Sequence, residues 1–311
     1  MLIIYKTTEK VLQKVDKPIK GCWINVVSPT AEETAQLIEW GFDPDLITYS
    51  LDLDEMAHFE RDDDEDYTFV LIRTPYFQGG SSDIPYSTIP LGIIIKGDYI
   101  ATVCRYENDI VRVLGNGKYR GLRTAKRYRL VLYALLETAA RFLANLREIN
   151  KTVEGLEDQL QQSTRNREVL ELLKYQKSLT YFISSLRSNE VMLERLRKAK
   201  AFNQFEEDQE LLEDVVTENQ QALQMTHISS DILSSMMDAF ASIISNNLNT
   251  VMKILTAITI ILSLPTMIAS FYGMNVGLPL QSHPLAFIFV ILFCLVLIGG
   301  AIYIFAKRDW F

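Results

Sequence analysis

Charge is missing from one long part of this sequence. Of the 311 residues 23% are charged, yet residues 254–306 contain no Asp, Glu, Lys or Arg, and Lys253 and Lys307 stand immediately outside them. Two apolar runs, 254–272 and 285–306, fill most of the stretch. As helices they measure about 28 Å and 33 Å, close to the thickness of a bilayer's hydrocarbon core. A buried hairpin in a large soluble core is the alternative, but two runs of this length favour two transmembrane helices.

The loop between the two runs, residues 273–284, contains two Gly and two Pro but no Lys or Arg. The basic residues Lys253, Lys307 and Arg308 flank the outer ends of both runs instead. The positive-inside rule therefore predicts a chain that crosses the cell membrane twice, with residues 1–253 and the C-terminal tail in the cytoplasm and the short loop outside. Trp310 and Phe311 are expected at the membrane interface as an aromatic anchor.

Cysteine and histidine are also scarce. The three cysteines and three histidines are far apart and match no metal-ligand spacing, so a His-based zinc site within one chain is not expected. The net charge of −8 argues against a nucleic-acid partner, which requires clustered Lys and Arg. We find no nucleophile beside a base and no phosphate-binding glycine loop, so the sequence predicts neither an enzyme nor a bound cofactor.

Glycine and proline become rare after Gly121. Residues 122–272 contain one of each, Gly155 and Pro265, and are rich in Leu, Glu, Lys, Gln and Arg. This composition predicts three long helices with breaks near residues 163–166 and 201–203. The last helix, about 68 residues from Phe205 into the first apolar run, requires lateral partners.

Residues 1–121 have the pattern of an α/β domain. β-rich runs occur at 22–27, 67–72, 91–95 and Tyr99–Cys104, and Thr30 begins a capping box that opens a helix. The predicted organisation is an α/β domain (1–121), long cytoplasmic helices ending in a stalk (122–253), a first span (254–272), an external loop (273–284), a second span (285–306) and a basic, aromatic tail (307–311).

A row of mostly polar side chains follows one face of the last helix. Alternating steps of four and three give a 3.5-residue period, which keeps a row on one seam of a gently supercoiled helix. The row comprises Asp238, Ser242, Ser245, Asn249, Met252, Thr256, Thr259, Ser263 and Thr266. Within a membrane such a row faces either a neighbouring helix or water, and the row alone does not decide between close packing and a water-filled path. Two spans cannot enclose a pore, so a path requires an oligomer around an axis.

Residues 52–66 concentrate acidic side chains. Nine acids and one base give this segment a charge of −8, equal to that of the whole protein. The acids are Asp52, Asp54, Glu55, Glu60, Asp62, Asp63, Asp64, Glu65 and Asp66. A solvated loop and a divalent-cation site both explain such a cluster, and the spacing is not that of an EF-hand.

The sequence Tyr272-Gly273-Met274-Asn275, followed by a short loop, a final span and a basic, aromatic tail, resembles the CorA family of magnesium transporters. The resemblance extends to residues 23–30, 212–215 and 251–256, and so covers nearly the whole chain. It implies a funnel-shaped homopentamer with an α+β cytoplasmic domain, a long helical stalk and two C-terminal transmembrane helices.

The resemblance also implies functions for particular residues. Gly273, Met274 and Asn275, flanked by Tyr272, would form the external selectivity filter for Mg²⁺, or for Co²⁺ or Ni²⁺. The polar row would then line the pore, with Met252 and Leu255 as an apolar gate that closes by dewetting.

A cytoplasmic Mg²⁺ site that closes the pore is implied as well. Asp214 occupies the position of one acidic ligand, and its partner from a neighbouring subunit would be Asp52, Asp54 or Glu55. Two alternatives stay open: a zinc transporter of the same superfamily, which the residues from Asn275 to Pro279 also resemble, and a membrane-anchored helical sensor or scaffold.

Overall fold

The computed structural model describes residues 1–8, 11–116, 118–119, 122–162, 166–279, 284–308 and 310. The predictions that involve Gly121, residues 163–165, residues 280–283, Asp309 and Phe311 lie outside the described residues. The chain divides into two compact units, residues 1–235 and residues 236–311. Each unit is described by itself.

A seven-stranded mixed sheet forms the centre of the first unit. The strands are β1 (Leu2–Thr8), β2 (Val11–Val15), β3 (Trp23–Val27), β4 (His58–Asp62), β5 (Tyr67–Phe77), β6 (Tyr86–Lys96) and β7 (Tyr99–Cys104). Their order across the sheet is β2-β1-β3-β7-β6-β5-β4. The β3–β7 pair is parallel and every other pair is antiparallel. All four predicted β-rich runs fall on strands, with Cys22 alone lying just before β3, whereas β1, β2 and β4 were not predicted.

Both faces of the sheet are covered, because side chains alternate between the faces along a strand. Val70 and Ile72 of β5 belong to the core on one face, whereas Phe69 and Leu71 belong to the core on the other. The long helices described below pack against the first face. Two short helices pack against the second, namely α1 (Ala31–Glu39) and α2 (Pro44–Leu51).

Local signals determine where the short helices begin. The predicted capping box is present at α1: Thr30 accepts the Glu33 amide, and Glu33 accepts the Thr30 amide. Asp43 caps α2, and Pro44 occupies its first turn, where no amide partner is needed. A further short helix, α3 (Asp109–Gly115), follows the sheet.

Three long helices follow, as the scarcity of glycine and proline predicted. They are α4 (Arg127–Gln162), α5 (Asn166–Lys198) and α6 (Glu206–Tyr272). A single 3₁₀ turn, Lys200–Phe202, occupies the predicted break between α5 and α6. Leu130, Leu193 and Leu212 bring all three helices into the core on the first face of the sheet.

The second unit contains the C-terminal part of α6 and the last helix, α7 (Ala286–Lys307). Both α6 and α7 contain a stretch long and apolar enough to cross a membrane. Almost none of either stretch is buried within the chain. Because large apolar side chains avoid water, this exposure indicates that lipid or other protein surrounds them.

Candidate functional site

The polar row lies exposed along α6. Its nine residues and Leu255 are all exposed in the single chain. In a membrane, an exposed polar face adjoins either water or a protein surface that satisfies it, because lipid cannot. The row therefore marks the face of α6 that is best suited to meet water or another protein surface.

Four hydroxyl groups of this row donate to the backbone of their own helix. Thr256 donates to the Met252 carbonyl at 2.7 Å, and Thr259 donates to the Leu255 carbonyl at 2.8 Å. Ser263 and Thr266 donate to backbone carbonyls in the same way. Once its hydrogen is engaged, a hydroxyl oxygen presents only acceptor lone pairs to its surroundings. The face therefore offers acceptors, which suit the donor hydrogens of water bound to a cation.

A different face of α6 packs towards α7. Within residues 254–272 the buried residues are Ala257 and Ile268, and they lie about 120° around the helix axis from the centre of the polar row. Near the end of α6, Ile268 and Phe271 share with Phe289 of α7 a cavity of about 440 Å³. At this end of α6, α7 therefore lies beside apolar residues and not beside the polar row, which stays open to other copies of the helix or to water.

The predicted filter residues follow the last turn of α6. The Gly273 amide donates to the Ala269 carbonyl at 3.0 Å, and the Met274 amide donates to the Phe271 carbonyl at 3.2 Å. The Tyr272 hydroxyl donates to the Pro279 carbonyl at 3.3 Å, which ties the loop back to the helix end. Gly273, Met274 and Asn275 are exposed. The motif thus presents its backbone and side chains at the negative end of the helix dipole, which attracts cations.

The predicted regulatory acids lie on two elements of the first unit. Asp52 ends α2, its carboxylate accepts the Asp54 amide at 3.0 Å, and its carbonyl accepts the Glu55 amide. Asp214 lies on an exposed part of α6. Among the described residues, no three or more His, Cys, Asp or Glu side chains gather into a group that could hold a metal. A single chain therefore does not complete the predicted site, which was expected between subunits.

The remaining acids belong to a hairpin turn. The Asp62 carboxylate accepts the backbone amides of Asp64 and Glu65 at 2.8 Å and 3.0 Å, and Arg61 pairs with Asp63 at 2.7 Å. These contacts close the turn between β4 and β5 with its own side chains. This part of the acidic segment fits the solvated-loop interpretation, whereas Asp52, Asp54 and Glu55 precede β4.

Arg73 was not predicted from the sequence as a residue of the candidate site. It lies on β5 with a side chain that is 7% exposed, and it donates to the carbonyls of Leu53 and Glu55 at 2.6 Å and 3.0 Å. Burial lowers its pKa, and the charges of Asp54 and Asp52 oppose that shift. A basic residue placed directly after the apolar run 67–72 was the available signal.

A domain built on a mixed sheet, followed by long helices and two C-terminal helices apolar enough to cross a bilayer, defines an integral membrane protein. The polar face and the exposed carboxamide at the end of the first of these helices suit a protein that handles cations. The chain belongs to the CorA-like Mg²⁺ transporter protein family, whose model matches residues 20–308.

Individual proteins agree with this membership. The chain is 31% identical over 300 residues to the "Cobalt/magnesium transport protein CorA" of Methanocaldococcus jannaschii, covering 93% of this chain and 90% of that protein. The complete structure of the CorA magnesium transporter from the same organism superposes with a TM-score of 0.86 at 28% identity, covering 100% of this chain and 99% of that chain. The predicted arrangement of an α+β domain, a long helix and two C-terminal apolar helices is confirmed.

A more distant likeness shows the fold alone. The cytoplasmic domain of ZntB from Vibrio parahaemolyticus matches with a TM-score of 0.63 at 8% identity, covering 78% of this chain and 98% of that domain. At this identity the likeness does not favour the zinc alternative over magnesium and cobalt.

Proposed function

We propose that this protein is a channel-type transporter that carries Mg²⁺, and also Co²⁺, into the cell across the cell membrane. The family membership and the relative named as a cobalt/magnesium transport protein support this assignment. The residues that carry the activity are those of the polar face and of the segment after α6. Both chain ends lie in the cytoplasm, because the basic residues Lys253, Lys307 and Arg308 flank the spans.

The observation that carries the proposal is the exposed polar face of α6, turned away from α7. One such helix cannot enclose a path, but identical helices around an axis can place five copies of the face around it. Hydroxyl oxygens that already donate to the backbone then point lone pairs at the axis. A hydrated cation donates hydrogen bonds from its water shell, so this wall supports passage without stripping the shell. A homopentamer is the assembly we propose.

The outer mouth selects the ion by weak contacts. Mg²⁺ gives up its water reluctantly, so the Asn275 carboxamide binds it through bound water and lets it leave again. The C-terminal ends of the α6 helices add negative potential at the same place. Farther down, Met252 and Leu255 provide the apolar constriction that closes by dewetting.

Cytoplasmic Mg²⁺ regulates the pore in this account. Asp214 of one subunit and Asp52, Asp54 or Glu55 of its neighbour hold the ion at the subunit interface. Loss of the ion leaves carboxylates that repel one another, which loosens the ring and favours opening. Asp214→Lys tests this step: inhibition of flux by Mg²⁺ on the cytoplasmic side should disappear, and unchanged inhibition would contradict it.

Mg²⁺ flux into liposomes that contain the purified full chain tests the transport function. Asn275→Ala should abolish most of the flux, and Asn275→Asp should slow it because a carboxylate ring holds the ion longer. Asn247→Ala is the matched control. It removes an exposed carboxamide of the same kind from the side of α6 opposite the polar row, and it should leave flux unchanged. Equal flux in all variants would refute the filter assignment.

The same assay separates the alternatives. A magnesium and cobalt transporter predicts that Co²⁺ competes with Mg²⁺ uptake, whereas a zinc transporter predicts Zn²⁺ uptake that Mg²⁺ does not inhibit. A membrane-anchored sensor predicts no flux at all, and the membership of a transporter family argues against it.

A further inference from the structure

Arg73 hydrogen-bonds the segment that carries Asp52, Asp54 and Glu55 to the sheet. Its four terminal N–H groups are all used, since Nη1 donates to the carbonyls of Leu53 and Glu55 and Nη2 donates to the carbonyl and hydroxyl of Thr88 at 2.9 Å and 3.0 Å. The two carbonyls on Nη1 flank Asp54. The guanidinium therefore holds the backbone on both sides of this carboxylate and fixes it against β6.

The same guanidinium does not pair with the nearby carboxylates. All its terminal donors go to neutral oxygens, and no Asp or Glu oxygen within the described ranges lies at ion-pair distance from it. Its Nε is buried without a hydrogen-bond partner, as judged from the part of the chain that the structure describes. A buried cation without a direct acid partner is costly and needs a compensating reason. Here the charged guanidinium holds the backbone on both sides of Asp54, while the carboxylates of Asp52 and Asp54 stay exposed.

The hydrogen bonds of Arg73 to Leu53, Glu55 and Thr88, here called the Arg73 clamp, connect to helix α5. The Thr88 hydroxyl shares a hydrogen bond of 2.7 Å with Ser185, and the Asn189 side chain bonds the Arg73 amide and carbonyl, both at 2.9 Å. The Ala57 amide donates to Ser188 at 2.9 Å. Three residues of α5 therefore hold the acidic segment and Arg73 together.

Helix α5 is in turn bonded to α6. The Asn219 side chain donates to the Leu186 carbonyl at 3.2 Å, and Gln176 donates to Ser230 at 3.0 Å. The acidic segment, Arg73, α5 and the N-terminal part of α6 thus form one continuous hydrogen-bonded arrangement. A shift of the segment moves groups that are bonded to the helix whose far end we assign to the pore.

We infer that Arg73 is a positioning residue of the regulatory site, which holds the Asp52–Glu55 segment in the conformation that binds Mg²⁺ and links it through α5 to α6. This inference rests on the proposed regulation by cytoplasmic Mg²⁺. Arg73 contacts neither the ion nor the pore; it acts through the acids whose backbone it holds. Lysine retains the charge but cannot reproduce the planar fork of donors, so charge and positioning can be separated.

The test uses liposomes that contain the full chain. It measures the concentration of Mg²⁺ on the cytoplasmic side that inhibits the flux by half. Arg73→Lys should raise it about tenfold, the size expected when a group that orients a metal ligand is lost. The flux at the lowest Mg²⁺ concentration should stay unchanged, because the pore itself is intact. A residue that merely supports the fold would reduce functional protein and total flux without moving the half-inhibitory concentration.

Two further variants serve as a second test and as a control. Thr88→Val, which removes one acceptor of Arg73 at constant shape, should raise the half-inhibitory concentration about threefold and decides the question if Arg73→Lys does not fold. Thr74→Val removes a buried hydroxyl from the neighbouring position of β5, where it donates to the Ile89 carbonyl and accepts from the Asn108 side chain, and should leave the concentration unchanged.

The outcomes separate this inference from the function on which it rests. If Asp214→Lys abolishes Mg²⁺ inhibition while Arg73→Lys and Thr88→Val leave the half-inhibitory concentration unchanged, the positioning function is wrong and the regulation stands. If Asp214→Lys and Asp54→Asn both leave inhibition unchanged, the proposed regulatory site is wrong. A shift with Thr74→Val equal to that with Thr88→Val would also overturn the inference.

Discussion

The contact between Gly92 and Ser50 positions the end of α2, and with it the start of the acidic segment. A Cβ atom at Gly92 would lie 1.7 Å from the Ser50 Oγ and 2.6 Å from the Ser50 Cβ. Ordinary van der Waals contacts begin at 3.4 Å. The Ser50 hydroxyl can rotate but its Cβ cannot, so in Gly92→Ala the end of α2 must move away by about 0.8 Å, the difference between 3.4 Å and 2.6 Å. Overpacking of this kind costs about 1–3 kcal/mol. For a domain of this size we expect the Tm to fall by about 2–12 °C.

A second substitution should restore part of this loss. Ser50→Gly removes both clashing atoms, and the nearest remaining atom is Phe69 Cε2 at 3.2 Å. Alone, Ser50→Gly should destabilise by about 0.5–1 kcal/mol, because glycine weakens a helix. In the double variant the clash with the Ser50 side chain is absent, so its Tm should lie above that of Gly92→Ala.

Thermal unfolding of the purified full chain in detergent, followed by circular dichroism, measures all three variants. Gly80→Ala is the matched control, since none of the described atoms lies within 4 Å of a Cβ at that position. It should shift the Tm by less than 2 °C, in keeping with about 0.5 kcal/mol for a surface change. A double variant no more stable than Gly92→Ala would refute the assignment of the loss to this contact.

Two other predictions concern buried groups of the first unit. Glu137 is 1% exposed and pairs with Lys118 at 2.7 Å and with Arg141 at 3.1 Å. Both cations are partly exposed and can turn to solvent, so Glu137→Ala should destabilise by about 1–3 kcal/mol in the same thermal assay, which is the loss of the hydrogen bonds alone. An unchanged Tm would contradict this. Burial raises the pKa of Cys104 to about 12, which leaves only about 10⁻⁴ of it as thiolate at pH 8. A maleimide should therefore label Cys104 only after unfolding, and rapid labelling of the native protein would show the thiol to be accessible.

Much of the fold was predictable because its signals are local. The capping box at Thr30, the apolar run of β7 and the scarcity of breakers after residue 122 each act over a few residues. The strands that were missed lie towards the edges: β2 and β4 carry Lys14, Glu60 and Arg61, because edge strands are solvated and their sequences are correspondingly polar.

The candidate site likewise contains one part that was predictable from a local pattern and other parts that were not. The polar row of α6 was readable because one helix generates the whole face from its own period. The Arg73 clamp joins a strand to carbonyls about 20 residues earlier and to a neighbouring strand, and the Gly92–Ser50 contact joins a strand to a helix. Such contacts depend on tertiary packing, which no local pattern encodes. The pairing of Asp214 with its partner acid stays a prediction, since it requires a second subunit.

The central claim is that the polar face of α6 adjoins water inside the membrane. Thr259 lies on that face, and Ile258 lies at nearly the same depth but about 100° around the helix. In a chain whose Cys294 is replaced by alanine, each position is changed to cysteine and exposed to a charged, membrane-impermeant thiol reagent while Mg²⁺ flux is recorded. Thr259→Cys should react and lose flux, whereas Ile258→Cys should do neither. Equal reactivity at the two positions, or none at Thr259→Cys under conditions of open flux, would contradict it.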